Sequence, residues 1–151
     1  MIENINLSGL LYINGHDMWT TYGVFLYEEK VGESQNYAAL LKPATCKPIK
    51  SVSYIEENGE RMPTLIRPTL DGRDVTLVFG ILSHGPHFIS RYKAFLNLLR
   101  SGWLDILVTD LNMTYRMRYI SAADYKQLSD LGEQIVGASI SVKLREPNPK
   151  Y

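Results

Sequence analysis

Along the second half of the chain, hydrophobic and polar residues alternate in the two-residue period of a half-buried strand. Arg73, Val75, Leu77 and Phe79 alternate with Asp74, Thr76, Val78 and Gly80, and Val136, Ala138, Ile140, Val142 and Leu144 alternate with Gly137, Ser139, Ser141, Lys143 and Arg145. Between these stretches the period changes. From Pro86 to Ser101, Phe88, Tyr92, Phe95, Leu96 and Leu99 recur at three- and four-residue steps, with His87, Ser90, Lys93, Asn97 and Arg100 opposite, which predicts an amphipathic helix. Pro86 suits its first turn, and Gly102 offers a left-handed cap beyond a last turn that carries Arg100. Trp103 to Thr109 and Tyr115 to Ser121 then predict a hairpin about Asp110-Leu111-Asn112, with Arg116 and Arg118 on the face opposite Tyr115, Met117 and Tyr119. Ala122 to Glu133 reads as a polar connection.

The first half is less regular. Leu10 to Ile13 runs into Asn14-Gly15, a pair suited to the positive φ angles of a tight hairpin turn. Trp19 to Gly23 predicts a corner, and Val24 to Tyr27 a second strand stopped by Glu28-Glu29. Lys30 to Pro48 predicts a long loop holding one helical turn from Ala38 to Lys42. Val52 to Ile55, with Glu56 to Glu60 as its tip and Pro63 and Pro68 on the return side, predicts an edge hairpin. The order of strands, one helix and more strands excludes the strand-helix alternation that builds parallel sheets. The expected fold is mainly β (α+β): one domain over residues 1–151, an antiparallel β-sandwich or partly open barrel with one flanking α-helix.

Composition narrows the possible chemistry. The 151 residues carry no net charge, so nothing in the overall balance draws the chain to sequence-specific nucleic acid or to an anionic membrane. No run approaches the roughly 18 apolar residues of a membrane span, and the first residues lack the basic and apolar pattern of a secretion signal, so synthesis in the cytoplasm is expected. Cys46 is the single cysteine, beside Lys47 but with no histidine near it in sequence to act as a base. His84 and His87 fall short of the three or four ligands of a zinc site, and Glu56, Glu57 and Glu60 flank a turn. Phosphate-binding glycine loops and Gly-x-Ser-x-Gly are absent. The expectation is a non-enzyme with no cofactor and no metal. Ten Tyr and two Trp instead supply the amphipathic side chains enriched at protein interfaces.

Tyr12-Ile13-Asn14-Gly15, Tyr22-Gly23-Val24, the strand led by Arg73, the helix bearing Tyr92 and Phe95, Tyr115 to Tyr119, and the closing strand before Pro147 together resemble long-tailed phage tail components. The likeness is to the N-terminal, ring-forming domain of siphophage-type distal tail proteins. It implies a tail-tube-like β fold and a structural role in the virion tail, after assembly in the bacterial cytoplasm. It also implies a ring of its own copies, six-fold in that family, joining the tail tube and other tail proteins to the tip apparatus. Many such proteins add a C-terminal carbohydrate-binding-like domain; with the chain ending at Tyr151, direct host binding is not expected. Expected subunit-interface residues are Trp19, Tyr22, Tyr37 and Tyr54 in loops and hairpin ends, and Lys93, Asn97 and Arg100 on the helix. A tail-tube or tail-completion protein is the alternative within this class. The rival from another class is a monomeric carbohydrate- or ligand-binding β domain.

Overall fold

A computed structural model describes residues 6–28 and 34–150, so residues 1–5, Glu29 and the first part of the expected loop, 30–33, lie outside the description. The chain forms seven strands: β1 (Leu11–Ile13), β2 (His16–Asp17), β3 (Val24–Leu26), β4 (Arg73–His84), β5 (Trp103–Val108), β6 (Met113–Gln127) and β7 (Ile135–Glu146). All pair antiparallel in one sheet of order β2-β1-β5-β6-β7-β4-β3. Its spine is the β4–β7 ladder, unbroken from Arg73 opposite Glu146 to His84 opposite Ile135. The period-two patterns explain that ladder: Val75, Leu77, Phe79 and Ile81 are buried on the same face as Val136, Ala138, Ile140, Val142 and Leu144. Each such branched or aromatic side chain contributes about 1.5–3 kcal/mol on burial.

Helix α3 (Gly85–Leu99) covers that inner face, burying Phe88, Phe95 and Leu99 and setting Phe95 edge-on to Phe79 at 5.4 Å between ring centroids. Its polar residues His87, Ser90, Lys93 and Asn97 are exposed, as the period requires. The helix closes differently from the expectation. Arg100 is the cap with φ of −90°, the Ser101 hydroxyl donates to the Leu98 carbonyl at 2.6 Å, and Gly102, at φ of +131°, follows two residues later.

Two short helices accompany α3, the flanking helix of the expected fold. The corner at Trp19 is α1 (Met18–Tyr22), capped at its start by the Asp17 carboxylate and at its end by Gly23. A Cβ on Gly23, whose φ is +70°, would sit 2.3 Å from the Leu82 carbonyl oxygen, so close packing and handedness both require glycine. Helix α2 (Gln35–Leu41) extends the turn expected at Ala38. It docks through Asn36, buried against β4 where β3 has already ended. The Asn36 side chain accepts from the Val78 N–H at 2.7 Å and donates to the Tyr27 and Val78 carbonyls at 2.9 and 3.2 Å. An amide side chain thus continues the strand ladder.

The sheet curls until its two ends nearly meet. Leu11 and Val108 at one end and Val24 and Leu26 at the other line a shared cavity of about 160 Å³. Tyr37 on α2 crosses this seam and donates its hydroxyl to Asp110 at 2.8 Å. Of the two forms expected, a single curled sheet is the partly open barrel.

Two further expectations need correction. β6 runs on to Gln127 rather than ending at Ser121, through register shifts at Tyr119/Ser121 and Ala123/Lys126 and a left-handed Asp124 at φ of +53°. The hairpin at Val52 forms no strand; Val52 and Arg61 make one isolated antiparallel bridge.

Candidate functional site

The segment between α2 and β4 departs most from a compact domain. Every residue from Thr45 to Thr69 is exposed. The chain leaves and re-enters the barrel through a narrow neck, where Cys46 bridges Leu70, the Lys47 N–H donates to the Thr69 carbonyl and the Asp71 N–H to the Thr45 carbonyl, each at 2.8 Å. Further out, Val52 and Arg61 exchange backbone hydrogen bonds of 2.9 and 2.6 Å. At the tip the Arg61 guanidinium pairs with Glu57 and lies 5.0 Å from the Tyr54 ring centroid. That pair holds the Arg61 guanidinium charged to higher pH than usual. This is an extended arm held by its own local bonds. It carries Ile49, Val52, Ile55, Met62, Leu65 and Ile66 in water, with Ile55 wholly exposed. Apolar side chains gathered on a projecting segment with no core beneath it mark an interaction surface.

A second apolar patch lies at the opposite end of the barrel. Ile89 near the start of α3 and Tyr125, Leu128 and Leu131 around the β6–β7 connection are all exposed. Tyr125 meets Tyr92 of α3 edge-on at 5.5 Å, and the backbone of Leu131 and Glu133 packs beside Gly85, so connection and helix form one surface. Partial burial pushes the Tyr92 and Tyr125 hydroxyls up from the usual tyrosine range.

The residues expected at a subunit interface do not converge. Tyr54 lies on the arm. Trp19 packs edge-on against Phe25 at 6.0 Å, and Tyr22 reaches the core at Phe95. Tyr37 is committed to Asp110; burial, followed by that hydrogen bond and the nearby carboxylate, pushes its hydroxyl up to about 12. Lys93 and Asn97 are exposed along α3, while Arg100 lies over the Tyr119 ring at 5.6 Å. Sequence reasoning missed the apolar residues of the arm and the β6–β7 patch. The signal was present in Leu65-Ile66 and Ile55, which have no periodic partner to pack with.

Trp103 lines an open groove of about 380 Å³ with Asp105, Arg116, Asn148 and Lys150. Arg116 is already paired with Asp105 at 3.3 Å and occupies one face of the Trp103 ring at 4.9 Å, so the groove's principal polar groups satisfy each other. On the neighbouring strands Arg145 holds the Asp74 carboxyl below the usual range, with Lys143 adding to the effect. Among the described residues no three His, Cys, Asp or Glu side chains gather as a metal site would need, and no helix is long and apolar enough to cross a membrane.

No family model and no curated protein matches the chain. A solved structure does: the Dit (gp 19.1) protein of SPP1, described as a paradigm of the hub adsorption apparatus in Gram-positive-infecting phages. The similarity has a TM-score of 0.51 and extends over 89% of this chain at 16% sequence identity. It takes in 48% of that protein, so the match covers about half its length. At that identity the shared property is the fold.

Proposed function

We propose that the chain is a structural component of a long-tailed phage or prophage tail, of the distal-tail type, whose copies close into a ring, six-fold by the family resemblance, that joins the tail tube to the tip apparatus. The fold shared with SPP1 Dit supports the class of protein. The observation that carries the ring is the arm from Thr45 to Thr69, which exposes large apolar side chains beyond the barrel and buries none of them. A cyclic ring uses head-to-tail contacts and needs two different complementary surfaces on each subunit, one of which the arm supplies. The ligand-binding rival would rest on the Trp103 groove, whose arginine and carboxylate already neutralise each other.

The test replaces residues 47–69 by an Asn-Gly turn across the Cys46–Leu70 neck, which leaves every buried residue in place. Native mass spectrometry and negative-stain microscopy are expected to show rings for the full chain and folded monomers for the armless variant. Armless chains that close rings of the same size would refute the role of the arm. A full chain that stays monomeric at the highest accessible concentration would refute the ring.

A further inference from the structure

Resting on that ring reading, we infer that the arm of one copy docks on the patch formed by Ile89, Tyr125, Leu128 and Leu131 of the next copy. Three observations carry this. These are two separate concentrations of exposed large apolar side chains, and among the described residues no element covers either. They also lie at opposite ends of the molecule: the arm's neck adjoins Arg73 opposite Glu146, whereas the patch adjoins His84 opposite Ile135. The ladder between them spans roughly 36 Å at the rise of an antiparallel strand. Unlike surfaces at opposite ends are what a head-to-tail contact joins.

Charge sets which part of the arm makes the contact. Near the neck the arm carries Lys47, Lys50 and Arg67, while its tip carries Glu56, Glu57 and Glu60. Around the patch stand Asp124, Asp130 and Glu133 against Lys126, all exposed, so acidic groups outnumber basic ones there. The neck half, with Ile49, Leu65 and Ile66, therefore lies on the acidic patch, and the acidic tip projects past it. Beyond Arg118 no described strand pairs with the β5 side of β6, so backbone donors and acceptors border the same surface.

Complementation tests the pairing. Leu65→Ser/Ile66→Ser disables the arm and Leu128→Ser/Leu131→Ser disables the patch; all four side chains are exposed, so both variants keep the fold. Each alone is expected to lose rings by at least tenfold in native mass spectrometry. Mixed, they are expected to give one-to-one heterodimers and nothing larger, because one intact arm and one intact patch remain per pair. A patch variant that forms rings at the wild-type concentration, or a mixture without heterodimers, overturns the inference and leaves the ring reading standing. Wild-type chains that never leave the monomer overturn the ring reading itself.

Discussion

Arg73 opens β4, and its guanidinium serves four groups at once. It pairs with Glu146 at 2.6 Å, donates to the carbonyls of Leu40, at 2.9 Å, and Lys42 at the end of α2, and lies 5.8 Å from the Tyr115 ring centroid. The ion pair is buried, with side-chain exposures of 10% and 7%. Arg73→Ala leaves the Glu146 carboxylate buried without its partner and is expected to cost about 3–5 kcal/mol, the range for breaking a buried pair. At roughly 2–4 °C per kcal/mol for a domain of this size, the melting temperature falls by roughly 6–20 °C. Arg73→Met combined with Glu146→Leu removes both charges and is expected to recover most of that loss. Urea titration followed by circular dichroism measures both, with an unchanged slope confirming that stability alone has moved. A loss below about 1 kcal/mol in Arg73→Ala, or a double variant no better than the single, would show that the pair is hydrated in solution and refute the reasoning.

Asn36→Ala leaves the buried Val78 N–H without its partner, while the Val78 carbonyl keeps the Tyr27 N–H, and is expected to cost about 1–3 kcal/mol, read as the shift of the urea midpoint. Tyr37 makes alkaline stability testable: with its hydroxyl raised from 10.0 to about 12, its contribution is complete below pH 10 and is lost as pH rises towards 12. The difference between the ultraviolet titrations of wild type and Tyr37→Phe should therefore have its midpoint about two units above an ordinary tyrosine; a midpoint near 10 would show that the bond to Asp110 is not formed.

The elements legible in the sequence are those whose burial is periodic. β4, β7 and α3 announce themselves because one face of each is packed throughout, and the β5–β6 hairpin because Tyr115 and Met117 are buried while Arg116 and Arg118 are exposed. Legibility stops where the backbone breaks period. The two register shifts and left-handed Asp124 hide the outer half of β6. α2 reads as a turn because one of its two buried residues is Asn36, whose side chain is held by Tyr27 and by Val78 of β4, the latter 42 positions away. The same distance problem conceals Arg73 with Glu146 and turns Tyr37 from a candidate interface residue into a seam across the barrel. The arm reads as an edge hairpin, but its apolar residues follow no packing period because none of the described residues covers them.

Although β1 and β3 are separated by only a short stretch of chain, they occupy opposite flanks of the sheet, β1 against β5 and β3 against β4. Apart from the local β1–β2 pairing, each waits for a sheet neighbour made later, β5 for β1 and β4 for β3, and β4 is itself completed by β7. Such nonlocal pairing makes for slow folding. A nascent chain stalled before β7 emerges would leave one long edge of β4 and one of β6 unpaired, so the barrel closes only once Ile135–Glu146 has been made.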